Sequence, residues 1–362
     1  MTQIKSLSPH ERPPDIIRQI YKTYQKLSLS DIDSDKNIID PQSLELDNLP
    51  SGIRHSQWMQ GSDLQLALNE FTKGDSSFDQ NDHGPIPVFT HQSVSGLLII
   101  PSLFPPKIQT ELLSRLFHRD LSNPEHQTNL HLHYNITYPG TQVPLSADPN
   151  LPTSPPLSFF QDDPTRLLYP KDPTVHKPIT VQNVINKKLR WVTLGGQYDW
   201  TAKVYPQGRP PKFPEDITSL LRAAFPETEA QAAILNVYSP GDTLSPHRDV
   251  SEECDTGLIS VSFGCDGLFL ISHDNGEGCE TIRLRSGDAV YMDGLSRFAW
   301  HGVPKIISET CPDWLADWPC IDEKPDMLQY KTWKGWMSGK RVNLNVRQMT
   351  SVNLHDAADA GS

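Results

Sequence analysis

The sequence has few cysteines, and no two of them form a C-x-x-C pair. The five cysteines are an odd number, which argues against a disulfide framework or a structural zinc site and predicts reduced thiols inside the cell. The chain also lacks any run of about 20 apolar residues, the length that a membrane span requires. Its basic N-terminal stretch is interrupted by Glu11 and Asp15 and has no apolar core, so we expect no secretory signal. We therefore expect an intracellular protein of the nucleus or cytoplasm that binds no membrane, with the mitochondrion left open.

Acidic residues outnumber basic ones, and the formal net charge of -12 disfavours broad binding to nucleic acid. The distribution of charge weakens that objection, because the stretch between His176 and Phe213 has Asp199 as its single acid. The basic residues in this stretch are Lys177, Lys187, Lys188, Arg190, Lys203, Arg209 and Lys212. The run predicts either an ordinary solvated face or a surface for a polyanion.

The second half of the sequence carries many short strand patterns. After one helical pattern at 214–225, strand patterns follow at "AILNVYS", "GLISVSFG", "LFLISH", "TIRLR", "AVYMD", "FAWH" and "RVNLNVRQM", separated by turns such as "PGD" and "SGD". Short strands without intervening helices are typical of a β-sandwich or jelly roll. The sequence therefore predicts an α+β protein with a jelly-roll core.

The first half is predicted to add helices and loops to that core. Helical spacing predicts a docking helix over 13–27, with Ile16, Ile17, Ile20, Tyr21, Tyr24 and Leu27 on one face. A second helix is predicted over 106–121, with Ile108, Leu112, Leu113, Leu116 and Phe117 inward. We expect a helix and linker over 1–95, an extension with a proline-rich insertion over 96–185, the jelly-roll domain over 186–350 and a flexible tail over 351–362. Nine prolines within 141–178 exclude regular structure through most of that stretch.

The stretch "RVNLNVRQM" at 341–349 alternates with a period of two. Apolar Val342, Leu344 and Val346 share one side of the predicted strand. The other side carries Arg341, Asn343, Asn345 and Arg347. This polar side is either a solvated face or a receptor for a small anion with a carboxylate at each end, because a guanidinium grips a carboxylate with two hydrogen bonds.

An H-x-D pair lies in "LSPHRDVSE". His247 and Asp249 would share one face of an extended chain, although such a pair also occurs by chance on protein surfaces. His301, at another predicted strand end, strengthens the signal, because two histidines and one carboxylate are the ligand set of non-haem Fe(II) oxygenases. In the 2-oxoglutarate-dependent members, Arg341 and Arg347 would hold the two ends of the cosubstrate, and Asn236 and Tyr238, on one face of their strand, would add hydrogen bonds.

Four stretches together resemble the AlkB family of Fe(II)/2-oxoglutarate dioxygenases. They are "ILNVYSPGDTLSPHRDVSE", "GLISVSFG", "SGDAVYMDGLSRFAWHGVPK" and "RVNLNVRQM". "NKKLRWVTLGGQYDW" and "GLLIIPSLFPP" make the chain most similar to the eukaryotic subfamily of the first mammalian AlkB homologue. The resemblance implies a double-stranded β-helix catalytic core. It also implies iron bound by His247, Asp249 and His301, and 2-oxoglutarate bound by Asn236, Tyr238, Arg341, Asn343 and Arg347.

The family resemblance also implies a substrate. AlkB enzymes use dioxygen and 2-oxoglutarate to hydroxylate an N-methyl group, usually on a nucleobase, and the product releases formaldehyde. A base attacked in this way leaves its stack and is held between flat side chains. Trp191 and Tyr198 are our candidates for that clasp, with a place in the aromatic core as the alternative. Ser251 replaces an acid with which bacterial AlkB reads the damaged base, which argues against direct alkylation repair.

The sequence thus predicts a nucleic-acid demethylase that acts on a methylated base such as 1-methyladenosine in tRNA, with DNA as a further option and no obligate protein partner. The alternatives are the same chemistry on a protein such as a histone, and a nucleic-acid-binding module whose oxygenase site is idle. The stretch 302–340, longer than in bacterial AlkB, is expected to be an insertion that packs against the barrel. His131 and His133 form a weak candidate for a second metal site, because no third ligand accompanies them.

Overall fold

Seven α-helices are present in the part of the chain that the computed structural model describes, which comprises residues 7–72, 84–139, 158–206, 208–321 and 327–351. They are α1 (Asp15–Lys26), α2 (Leu29–Ser34), α3 (Ser62–Phe71), α4 (Pro106–Ser114), α5 (Val181–Asn183), α6 (Glu215–Ala224) and α7 (Asp313–Ala316). The chain continues from α4 and from α5 in wider helical turns, Arg115–Asp120 and Val184–Lys188. None of the helices in these described ranges is long and apolar enough to span a membrane.

The strands form two large sheets and one small sheet. In chain order they are β1 (Ile38–Ile39), β2 (Ile53–Met59), β3 (Ile86–His91), β4 (Val94–Ile100), β5 (Tyr134–Asn135), β6 (Leu167–Pro170), β7 (Ile179–Thr180), β8 (Trp191–Gly195), β9 (Ala232–Tyr238), β10 (Leu244–His247), β11 (Leu258–Gly264), β12 (Gly267–Ser272), β13 (Cys279–Leu284), β14 (Ala289–Met292), β15 (His301–Ile306) and β16 (Arg341–Arg347). The major sheet has the order β2-β3-β4-β14-β11-β16-β9-β8, the minor sheet β1-β13-β12-β15-β10, and the small sheet β5-β6-β7.

The two large sheets form the predicted jelly roll. Apolar residues of both sheets, such as Leu258, Val290, Phe269 and Ile282, pack together in one buried cluster. The other face of the major sheet is covered by α3, α4 and α6, whose apolar residues share a second cluster with Val342, Leu344 and Val346. The prediction of an α+β jelly-roll protein is confirmed.

The predicted docking helix is confirmed as α1. Ile17 and Tyr21 are buried against Leu270 of the minor sheet and against Trp300, which precedes β15. The prediction is wrong for Ile16, which is 45% exposed, because the buried stripe of this helix is narrower than its apolar pattern. The inward residues predicted for the helix at 106–121 are all buried.

The prediction of loop over 28–95 is wrong for much of its described part, which holds α2, β1, β2, α3 and β3. The sequence of β2 shows no clear alternation of apolar and polar residues. The pairing register shifts between His55 and Gln57, and the strand lies at the edge of the major sheet. In α3, Leu64, Leu68 and Phe71 are buried. These residues have helical spacing, but the polar residues around them obscured the pattern in the sequence. The boundary at 95 remains a prediction, although buried residues of α3 belong to the same cluster as β16.

Two predictions fall partly outside the described ranges. The structure does not describe residues 141–157 of the proline-rich stretch or residues 352–362 of the predicted tail. The described remainder of the proline-rich stretch contains β6 (Leu167–Pro170), so part of it does form regular structure.

The described part of the stretch 302–340, which omits 322–326, packs against the core as expected. Trp318, Trp333 and Trp336 are buried, with Phe117 and Phe160 as ring neighbours. The indole N–H of Trp333 donates to the carbonyl of Phe160 at 2.8 Å, which satisfies its buried polar atom. These contacts join the stretch to the N-terminal half of the chain.

Candidate active site

His247, Asp249 and His301 meet at one end of the jelly roll. His247 ends β10 and is the register partner of His301, the first residue of β15, so the antiparallel pairing sets the two imidazoles side by side. Their ring centroids are 4.4 Å apart. One ligand atom from each of the three residues lies within 4.8 Å of the others, and no other such cluster occurs among the described residues.

Backbone carbonyls orient both imidazoles. Nδ1 of His247 lies 2.9 Å from the carbonyl oxygen of Ser245, and Nδ1 of His301 lies 3.0 Å from that of Ala299. A carbonyl only accepts hydrogen bonds, so each Nδ1 donates and each Nε2 keeps its lone pair. These Nε2 atoms lie 3.6 Å and 4.0 Å from the carboxylate oxygens of Asp249.

The electrostatics of the cluster favour an ionised Asp249 and a neutral His301. Burial alone would raise the pKa of Asp249, but the adjacent positive charge of Arg347 outweighs it and holds that pKa well below its usual range. Burial, with the neighbouring His247 adding to it, lowers the pKa of His301 to about 4. An anionic carboxylate and a neutral imidazole are the protonation states that metal binding requires.

The donor set fits Fe(II). Two imidazole nitrogens and one carboxylate are the facial ligand set that leaves further positions of the metal open. The sequence prediction named these three residues, and the structure brings them together.

Arg341 is buried at the opposite end of β16 from Arg347, with 1% of its surface exposed. Its Nη2 donates to Ser262 Oγ at 2.8 Å and its Nη1 to the carbonyl of Leu284 at 3.1 Å. Its Nε and the hydroxyl of the facing Tyr238 are buried without a hydrogen-bond partner among the described residues. Because buried polar groups are normally satisfied, these atoms indicate room for an acceptor such as the far carboxylate of 2-oxoglutarate.

A narrow cavity runs between Arg341 and the metal cluster. Its lining includes His301, Arg341, Asn343 and Asn345, so the polar face of β16 does not face bulk water. Gly267 keeps the Arg341 end open, because a Cβ atom there would lie 2.6 Å from Arg341 Nε. The cavity favours the interpretation of the polar face as a receptor for an anion.

Asn236 and Asn343 face each other across β9 and β16. The Nδ2 atom of Asn343 donates to Ser260 Oγ at 2.9 Å and to the carbonyl of Val261 at 3.0 Å. The predicted contact of this amide with 2-oxoglutarate would therefore require it to change partners. The cosubstrate role of both asparagines stays a prediction.

Sequence reasoning missed a buried ion pair behind Asp249. Arg297 donates from Nη2 to Glu252 at 2.9 Å and from Nη1 to the backbone carbonyl of Asp249 at 2.7 Å. Glu252 also lies 3.3 Å from Arg347 Nε. The available signal was an arginine inside the apolar stretch "SRFAWHGVP", since a buried arginine needs a buried acid.

Tyr198 and Ser251 come together, with a hydroxyl separation of 3.3 Å. Ser251 also donates to the carbonyl of Lys203 at 3.0 Å. Trp191 lies on β8 opposite Asn236, and thus in the same cross-strand row as Asn343. Trp200, which the sequence analysis did not single out, has its ring centroid 5.0 Å from both the Trp191 and the Tyr198 rings. The ring of Tyr205 lies 5.2 Å from that of Tyr198, so the aromatic cluster among the described residues has four members, and the role of Trp191 and Tyr198 as a clasp for a base stays a prediction.

The predicted basic surface is partly neutralised. Arg190 pairs with Asp242 and Lys212 with Glu215, whereas Lys187 and Lys188 are exposed. The second metal site is not supported at His131, whose ring nitrogens are engaged by the N–H of Thr128 and the hydroxyl of Tyr138.

The fold and the site define a class of protein. Residues 163–347 match the model of the 2OG-Fe(II) oxygenase superfamily, a stretch that holds the three clustered residues and both arginines. The chain belongs to this superfamily, and that membership implies Fe(II) and 2-oxoglutarate.

Within the superfamily the chain is similar to AlkB homologues, which confirms the resemblance seen in the sequence. It is 44% identical to the N6-methyladenosine RNA demethylase ALKB1 of Pyricularia oryzae over 96% of this chain and 98% of that protein. It is 51% identical to the N6-methyladenosine RNA demethylase ALKBH of Cryphonectria parasitica over 61% of this chain and 99% of that protein. It is 40% identical to the tRNA demethylase abh1 of Schizosaccharomyces pombe over 72% of this chain and 82% of that protein.

Proposed function

We propose that the protein is an Fe(II)/2-oxoglutarate dioxygenase that oxidatively demethylates a methylated adenine in RNA, with tRNA as its main substrate. The observation that carries the proposal is the cluster of His247, Asp249 and His301 beside a cavity that ends at Arg341. The printed activities of the three relatives, two on N6-methyladenosine in RNA and one on tRNA, support the choice of substrate.

Each group in the site has a separate task. His247, Asp249 and His301 would hold Fe(II), and Arg341 with Tyr238 would bind the far carboxylate of 2-oxoglutarate. Arg347 keeps Asp249 ionised and oriented, because its Nε lies 3.2 Å from the Asp249 carboxylate. When bound, Fe(II) and 2-oxoglutarate supply, with dioxygen, the oxidising power that hydroxylates an N-methyl group as the cosubstrate becomes succinate and carbon dioxide. The hydroxymethyl amine then releases formaldehyde.

The aromatic cluster would receive the base. Trp191, Tyr198 and Trp200 lie in mutual ring contact, and Tyr198 reaches Ser251, two residues after Asp249. Base stacking on aromatic side chains is the usual way to hold an unstacked base. Single-stranded loops spare the enzyme most of the unstacking cost, and tRNA offers such loops.

The test is turnover by the iron-loaded protein on matched substrates. tRNA with 1-methyladenosine, an RNA with N6-methyladenosine, a DNA with N6-methyladenine and a methylated histone peptide are each incubated with 2-oxoglutarate. The loss of methyl groups, measured by mass spectrometry of the nucleosides and peptides, is then compared with the amount of succinate released. We expect loss of methyl from RNA with one succinate per methyl removed, and none with Asp249→Ala.

The alternatives give distinct results. Turnover of the peptide alone would overturn the nucleic-acid substrate while leaving the chemistry intact. RNA binding without succinate release would indicate an idle site. Comparison of the two RNA substrates decides between 1-methyladenosine, which the sequence favoured, and N6-methyladenosine, the base in the names of two relatives.

A further inference from the structure

The small sheet has one buried face and one open face. In its central strand β6, Leu168 and Pro170 are buried, whereas Leu167 and Tyr169 are exposed. Tyr169 is the register partner of Asn135 in β5, and Leu167 is the partner of Thr180 in β7. Asn135, Leu167, Tyr169 and Thr180 thus share one side of the sheet, which we term the open face.

The open face exposes large apolar side chains. Tyr169 is 59% exposed and Leu167 is 42% exposed. Val175 and Leu132, in the segments next to β7 and β5, are also exposed. Single exposed apolar residues need no explanation, but a group of them on one surface marks an interaction site.

The stretch of chain that runs from β6 to the start of β8 has a positive net charge, in contrast to the chain as a whole. Residues 166–190 contain six basic residues and a single acid, Asp172. Arg166 and Arg190 pair with Asp162 and Asp242. The remaining basic residues are Lys171, Lys177, Lys187 and Lys188, all of them exposed. This charge is complementary to a polyanion.

Hydrogen bonds hold the segment before β5 against β8, the strand that carries Trp191. The segment before β5 runs along the edge strand β8, with Thr128 paired to Val192 and the N–H of Thr193 donating to the carbonyl of Gln127 at 2.9 Å. Asn129 then donates to the carbonyl of Lys188 at 2.8 Å. The same stretch of chain therefore adjoins both the strand that carries Trp191 and the small sheet.

We propose that the open face is an accessory RNA-binding surface on which Tyr169 stacks an unpaired base of the substrate RNA. An aromatic side chain in the middle of an open sheet, with lysines at its edges, is the arrangement by which sheet-based domains bind single-stranded RNA. The lysines contact phosphates, and the sheet holds a part of the RNA that lies outside the catalytic pocket. The inference rests on the proposed function, because it assumes that the substrate is RNA.

The test compares Tyr169→Ala with two controls in the full-length, iron-loaded protein. Tyr169→Phe keeps the ring, and Trp58→Ala removes an aromatic side chain of similar exposure, 44%, from β2 at the other edge of the major sheet. The readouts are the Kd of a tRNA transcript by fluorescence anisotropy, kcat/KM on a single methylated nucleotide, and the KM for 2-oxoglutarate.

We expect Tyr169→Ala to raise the Kd for tRNA by about 5- to 150-fold, the effect of losing one stacked base. Turnover of the single nucleotide and the 2-oxoglutarate KM should stay unchanged, because neither depends on a surface outside the pocket. Tyr169→Phe and Trp58→Ala should bind tRNA like the wild type.

Two outcomes overturn the inference while leaving the proposed function standing. One is an unchanged Kd in Tyr169→Ala alongside normal tRNA binding by the wild type. The other is a change of molecular mass by light scattering in Tyr169→Ala, which would identify the open face as a contact between two copies of the chain. If the wild-type protein neither binds nor demethylates any RNA, it is the proposed function that fails.

Discussion

Arg347 and Asp249 form a buried ion pair, with Arg347 Nε 3.2 Å from Asp249 Oδ2. Glu252 and Arg297 extend the pair into a group of two guanidiniums and two carboxylates. Charges buried in this way are tolerated because each has a partner and further hydrogen bonds. The arrangement presents an ionised, oriented carboxylate to the two histidines, which is the state that a metal needs.

Replacing Asp249 by Ala removes the anionic ligand and should abolish turnover and most Fe(II) binding, because a three-residue ligand set cannot spare one member. Metal content by mass spectrometry after iron loading, together with succinate release, measures both effects. Wild-type iron content and activity in Asp249→Ala would contradict the assignment.

Substituting Arg341 by Ala should raise the 2-oxoglutarate requirement without changing iron content. Loss of a buried guanidinium opposite a carboxylate costs on the order of 2–5 kcal/mol, roughly 30- to several-thousand-fold in affinity. Arg341→Lys keeps the positive charge but loses the planar guanidinium, so its 2-oxoglutarate KM should lie between those of the wild type and Arg341→Ala. A 2-oxoglutarate KM that stays at the wild-type value in Arg341→Ala would contradict this role and favour the interpretation of the polar side of β16 as an ordinary strand face.

Glu252→Gln should destabilise the protein, because it leaves Arg297 and Arg347 with one carboxylate, that of Asp249, between them. Breaking a buried pair by removing one partner costs about 3–5 kcal/mol, measured as the free energy of unfolding in urea. The matched control is Glu229→Gln, which breaks the partly exposed pair with Arg222 and should cost under about 1 kcal/mol. Equal effects of the two substitutions would show that the buried group contributes no special stability.

The strand patterns in the sequence predicted most of the fold, and the alternation of 341–349 predicted much of the candidate active site. His247, Asp249 and His301 were predictable because their ligand chemistry restricts the residue types. The apolar stretch around Arg297 signalled a buried arginine, but its partner Glu252 was not predictable, because their pairing depends on the fold bringing a loop against a distant turn. Trp200 was missed for a similar reason, since its contacts with Trp191 and Tyr198 come from a loop without a periodic pattern.

The stability of the metal-free protein should fall as the pH is lowered from about 6.5 to 4. Burial lowers the pKa of His118 to about 4, so in this window the unfolded chain binds a proton that the folded protein does not. Unfolding is then favoured by protonation, with a slope of up to about 1.4 kcal/mol per pH unit from this histidine.

His118→Phe is the control for this pH effect. Phe keeps a ring against Trp318 and Tyr330 but cannot titrate, so the dependence of unfolding free energy on pH should become shallower. Urea unfolding of both proteins at pH 6.5, 5.5 and 4.5 measures this dependence. An identical slope in the wild type and in His118→Phe would mean that His118 is protonated equally in both states.

The exposed lysines before β8 should contribute to tRNA binding through phosphate contacts. Replacing Lys187, Lys188 and Arg190 together by Ala should weaken tRNA binding, with most of the loss from the two lysines, because Arg190 already pairs with Asp242. The affinity of the wild type should fall as salt rises, and the dependence should be shallower in the variant because fewer counterions are released. The 2-oxoglutarate KM should not change. Lys22→Ala with Lys26→Ala, two exposed lysines of α1, is the matched control. If this control weakens tRNA binding as much as the triple variant does, binding depends on overall charge and not on the segment that leads into the active site.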